Sequence, residues 1–99
     1  MNIDELNLMD APLSAININL RDAEIEVAYK QNGEIKHLRF IAVRKLNIDL
    51  PETTDLNSGS IFDVISEEIC TGNTRIKFFF NFDTQGGHLA FEYANVKTH

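Results

Sequence analysis

The chain has 99 residues, 43% of them hydrophobic and 24% charged, with a net charge of −6 and a pI near 4.9. That length suits one domain over 1–99, and the apolar content excludes disorder. No apolar window approaches the roughly 18 residues of a membrane span, and the acidic balance argues against direct, sequence-independent nucleic-acid binding, which needs Lys and Arg to displace counterions.

The opening MNIDELNLMD has two early acids and no basic stretch before an apolar run. No secretory leader is expected, and a cytoplasmic location follows as the default. Next, SAININL alternates Ile16, Ile18 and Leu20 with asparagines, the pattern of a half-buried strand. EIEVAYKQNGEIKHLRF carries Asn32-Gly33, whose tolerance of positive φ at both positions marks a type I′ hairpin. Folding there sets Ile25 against Phe40 and Val27 against Leu38, with Glu26 meeting Arg39 on the other face. FIAV then breaks the alternation, so a bulge or bend is expected near Ile41–Arg44. VRKLNIDL resumes it with Leu46, Ile48 and Leu50. LPETTDLNSGS reads as a surface loop.

SIFDVISEEIC has two readings. Ile61, Phe62, Val64, Ile65 and Ile69 would form one helical stripe, capped by Ser60. The β-branched residues instead favour a strand, which the all-β context supports. The last hairpin, RIKFFFNFDTQGGHLAFEY, is folded either through a loop at 84–87 or at Gly86-Gly87, with Phe82 against Leu89 in the first case. Both place Ile76, Phe78, Phe80 and Phe82 with Leu89, Phe91 and Tyr93 on an aromatic core face. Phe79 has the opposite parity, beside Lys77, Asn81 and Glu92. It is core if a second layer covers it and an exposed aromatic if none does. The expected fold is mainly β: an antiparallel sheet of about six strands, sandwich or half-barrel. A short helix at 60–69 would make it α+β.

Charge is segregated along the chain. Residues 1–29 sum to −5, residues 30–45 to +4 and residues 75–99 to +1. Residues 46–74 carry Asp49, Glu52, Asp55, Asp63, Glu67 and Glu68 with no Lys or Arg. Such a stretch has three readings: a solvated face, a docking surface for a basic protein, or a divalent-cation site. No calcium-loop ladder appears in it.

Motifs of catalysis are missing. The chain has no phosphate loop, nucleophile elbow, His-Glu-x-x-His or Cys-x-x-Cys. Cys70 is the single cysteine, so no internal disulfide forms, and it reads as a semi-buried thiol. His88 is expected at a turn, where a solvated imidazole is commoner than a metal ligand. No enzyme activity, cofactor or metal is therefore expected.

From about Ala15 to Val96 the chain resembles small bacterial immunity proteins, including the β-rich ones of contact-dependent growth inhibition and other polymorphic toxin systems. The resemblance is carried by DAEIEVAYKQNGEIKHLRFIAVRKLNIDL, the acidic middle and GGHLAFEYANV, and it transfers no functional residue by motif. It implies an inhibitor that binds the catalytic domain of a cognate toxin. Many such toxins are ribonucleases or deoxyribonucleases with basic surfaces, to which an acidic inhibitor is complementary. Phe79 is then the candidate anchor, and Asp49, Glu52, Asp55, Asp63, Glu67 and Glu68 the candidate steering groups. The alternatives are a small ligand-binding or enzymatic β-domain, and an oligomerisation or adaptor module using an open sheet edge.

Overall fold

The computed structural model describes residues 7–50, 59–69, 72–82 and 85–98. These form eight strands: β1 (Leu13–Asn19), β2 (Glu24–Gln31), β3 (Glu34–Ile41), β4 (Arg44–Asp49), β5 (Gly59–Glu68), β6 (Thr74–Phe82), β7 (Gln85–Tyr93) and β8 (Asn95–Thr98). They make two antiparallel four-stranded sheets, ordered β1-β2-β3-β8 and β4-β7-β6-β5. Among the described residues no helix is long and apolar enough to cross a membrane.

The mainly-β, antiparallel expectation holds, but a sheet of about six strands does not. Two long runs each cross from one sheet to the other. The first bends at Ala42, where φ is +58, and its bend region is tied down by the Val43 N–H donating to the Ala23 carbonyl at 2.8 Å. This is the break expected near Ile41–Arg44. The second bends at Ala94, whose N–H donates to the Ile41 carbonyl at 3.0 Å. Nothing in the alternation around Tyr93 announces that second corner. At the far side the N-terminal segment joins the sheets. Asp10 donates to the Ile61 carbonyl at 2.7 Å, Ile61 donates to the Ala11 carbonyl at 2.8 Å, and Lys30 donates to the Pro12 carbonyl at 2.9 Å.

The helical reading of 60–69 is also corrected: the segment is β5, paired with β6. The register shifts between Ile61 and Asp63, so Phe62 sits in a bulge. One extra residue re-phases the strand. Ile61 and Val64 both pack on the core although they are three apart. A bulged strand thereby imitates the i, i+3 spacing of a helix.

The first hairpin has the expected register: Ile25 with Phe40, Val27 with Leu38 and Glu26 with Arg39. Asn32 and Gly33 have φ of +55 and +79, as the type I′ turn requires. The charges pair diagonally, however. Arg39 binds both oxygens of Glu24, the shorter contact at 2.8 Å, and Glu26 takes His37 Nδ1 at 2.9 Å.

The second hairpin has neither expected register. Phe82 pairs with Gln85 and Phe78 with Leu89, so Gly86 and Gly87 lie inside β7. A Cβ on Gly87 would come within 3.0 Å of the Asp49 carbonyl and 3.2 Å of the Phe82 ring, and one on Gly59 would collide with the same ring from the other side. The glycines let Phe82 and the end of β4 approach the backbone closely. The register slips by an even number, so side-chain parity survives. Ile76, Phe78, Phe80, Phe82, Leu89, Phe91 and Tyr93 are all buried.

These side chains meet Ile25, Val27, Leu38 and Phe40 between the sheets. Phe40 is the junction: its ring lies edge-on to Phe91 at 4.9 Å, Tyr93 at 4.8 Å and Phe78 at 5.9 Å. Each such ring pair adds about 0.5–1.5 kcal/mol beyond the burial of its area.

Candidate functional site

Pairing in the β4-β7-β6-β5 sheet arranges its outward side chains in rows. Asp49, His88, Phe79 and Asp63 form one row across the four strands. Asn47, Ala90, Lys77 and Ile65 form the next, and Arg44, Glu92, Arg75 and Glu67 the third. The rows answer where Phe79 points. It faces away from the aromatic core, half-buried, with the Lys77 ammonium 4.9 Å from its ring centre. β5 does not cover it but runs beside it, with Asp63 as its Cα neighbour.

The sheet brings together three of the residues singled out from sequence, Asp49, Phe79 and Asp63. Glu67 lies two rows away and is committed elsewhere, its Oε1 accepting from Arg75 at 2.9 Å. Glu68 is exposed but has the opposite parity, across from Thr74. Glu52 and Asp55 lie outside the described residues. His88 belongs to β7 rather than to a turn, with Nε2 3.2 Å from Asn47 Oδ1.

The face is not uniformly acidic, because strands from outside the 46–74 stretch lie among its own. Glu92 is buried at 4% exposure, with Lys45 Nζ at 3.6 Å and Arg75 Nη2 at 3.5 Å. Acid therefore dominates only the row of Asp49 and Asp63, while the third row is a balanced ion cluster. Chain-order charge counting cannot see this interleaving.

Two apolar residues complete the site, both of which a helical pattern would place in a core stripe. Phe62, in the bulge, is 60% exposed, and Ile65 is 55% exposed. Together with Phe79 they place apolar surface on and beside the acidic row. Asp63 is oriented locally, since its Oδ1 accepts the Val64 N–H at 2.8 Å. Among the described residues no group of His, Cys, Asp and Glu has the arrangement of a metal site.

A second feature lies at the seam of the sheets. A cavity of about 250 Å³ is lined by the apolar Leu20, Ile25, Val43 and Leu46 and by Asn19, Glu24, Arg44 and Lys45. Ala23 and Lys45, both on its lining, have φ of +54 and +56. The chain matches no protein-family profile, and no curated protein matches it.

Proposed function

We propose that this protein is a binding module of the immunity type, which holds and neutralises the catalytic domain of a cognate toxin. The observation that carries the reading is the row Asp49–His88–Phe79–Asp63, with exposed Ile65 and Phe62 beside it. Apolar side chains left on a sheet face among carboxylates suit a protein interface. The aromatic supplies desolvated contact and the acids steer a basic partner toward it. The resemblance of Ala15–Val96 to β-rich immunity proteins supports the same assignment. A basic nuclease domain is the partner of matching chemistry, because a surface built for phosphates is complementary to Asp49 and Asp63.

The test is to look for a toxin domain among the neighbouring genes and to co-express it with this protein. Protection of growth, a stoichiometric complex on gel filtration, and binding weakened by Phe79→Ala in a variant that stays folded, with only a small drop in melting temperature, are expected. A toxin that kills regardless, with no complex formed, overturns the proposal.

The seam cavity favours a second reading, a module for a small ligand with an apolar body and a carboxylate held by Arg44, the lining Glu24 being already bound by Arg39. Thermal-shift screening of small apolar carboxylates tests it. Stabilisation that is lost in Arg44→Ala would move the function to the seam.

A further inference from the structure

Strand β5 ends its sheet and is ten residues long. Among the described residues its outer edge is sealed at the start, where Ile61 exchanges both backbone bonds with Asp10 and Ala11 and Ser60 bridges to Pro12. Among the described residues no strand pairs with that edge beyond Ile61. Ile61 turns its N–H and carbonyl outward. After the bulge, alternate residues Val64, Ser66 and Glu68 do the same; Asp63 Oδ1 already accepts the Val64 N–H at 2.8 Å, so the donors for a partner strand are those of Ser66 and Glu68. An exposed edge bearing Phe62 and Ile65 is a template for another strand.

The charges on β5 decide what that strand can be. Asp63, Glu67 and Glu68 are its acids, and it has no Lys or Arg; of the three, Glu67 is already partly compensated by Arg75 of β6 at 2.9 Å. A second copy in the antiparallel register that stacks Ile65 on Ile65 sets Asp63 against Glu67 at both ends of the pair. Like charges directly opposite are destabilising. The edge is thereby guarded against its own kind without a proline or an inward charge.

We propose that the outer edge of β5 takes one strand of a protein partner by backbone pairing, a strand with basic residues opposite Asp63 and Glu67 and an apolar residue opposite Ile65. This deepens the inhibitor reading, on which it rests for the partner's identity, by giving the contact its chemistry. Pairing would extend the sheet whose outer face carries Phe79, so edge and face would form one continuous surface.

The probe is a peptide of about eight residues, a typical strand length, with Lys, Val and Lys at alternate positions and Thr between them. Its counterpart carries Glu in place of Lys. Fluorescence anisotropy should show the lysine peptide binding at least ~10-fold more tightly than the glutamate one, with the difference shrinking as salt is raised. Ser66→Pro removes an outward N–H and no bond to β6, so the protein should fold and the lysine peptide should no longer bind. Equal binding of the two peptides, or binding retained in folded Ser66→Pro, overturns the proposal. Asp63→Lys gives a readout that does not depend on Ser66→Pro folding. It turns both repulsive pairs into attractive ones, so the variant should dimerise on gel filtration with light scattering. A variant that stays monomeric at every concentration also overturns the proposal. Neither assay uses a toxin, so their failure strikes the edge alone, whereas failed growth protection strikes the inhibitor reading.

Discussion

The two hairpins β2–β3 and β6–β7 are built alike, and each holds a glycine-containing dipeptide of the kind that marks turns. In the first, Asn32-Gly33 is the turn, because positive φ is what the chain needs there. In the second, Gly86-Gly87 is strand, and the smallness of Gly87 serves the Asp49 carbonyl and the Phe82 ring. Glycine answers two unrelated needs, a left-handed backbone and a close approach, and only the first is local. A turn signal is therefore trustworthy when the flanking side chains fix the same register independently. The first hairpin has that check, since apolar pairs and charge pairs agree. The second lacks it, because a run of alternating phenylalanines pairs equally well after any even slip.

The largest expected difference is between the two faces of β6. Phe78 is fully buried and stacks on Phe80 at 6.0 Å between ring centres. Phe78→Ala should cost about 3–5 kcal/mol, as large-to-small changes in aromatic cores do. Phe79→Ala removes a half-buried ring and one cation contact, and should cost roughly 1 kcal/mol. Urea denaturation of the two variants checks the ranking, and equal losses would mean that the outer face is covered.

Gly87→Val comes next and separates the two roles of glycine. The added side chain meets a backbone carbonyl and a ring held from both sides, so overpacking should cost about 1–3 kcal/mol. Gly33→Val meets nothing within 4 Å. Its cost is backbone strain alone, roughly 1–2 kcal/mol for a β-branched residue at positive φ. Gly→Asn distinguishes them further, because asparagine tolerates the left-handed region. Gly33→Asn should recover most of the loss, and Gly87→Asn should not. Thermal melts of the four variants decide it.

The same contrast explains what could be read from the residues. Strand content, the β2–β3 register and the core face of Ile76–Phe82 follow from period-two alternation, which is local. The corner at Ala94 and the bulge at Phe62 come from closing two sheets on one another, and one inserted residue at Phe62 left a helix-like spacing. The site was legible in part. Parity gave Phe79, Asp49 and Asp63 no position relative to one another; strand order did. Ile65 was hidden because a residue three or four places from other apolar ones looks like core until the bulge is known.

The smallest expected effect compares the ion pairs on the outer faces of the two hairpins. Arg39 binds Glu24 at 2.8 Å, but the side chains are 41% and 24% exposed. Its geometry is good, yet water competes for both partners. Arg39→Gln should cost only ~0.2–1 kcal/mol and less as salt is raised. Arg75 is exposed too, but it serves Glu67 and the buried Glu92 together. Removing it leaves a carboxylate out of water with Lys45 alone at 3.6 Å. The loss is then the desolvation of an under-compensated charge rather than the loss of an attraction. Arg75→Gln should therefore cost more than Arg39→Gln and respond less to salt. Much of its cost should return in Arg75→Gln/Glu92→Gln, since the buried group no longer carries charge. Chemical denaturation at low and high salt reads both quantities. If the two single variants lose the same stability with the same salt dependence, Glu92 is solvated and the third row of the sheet is ordinary surface.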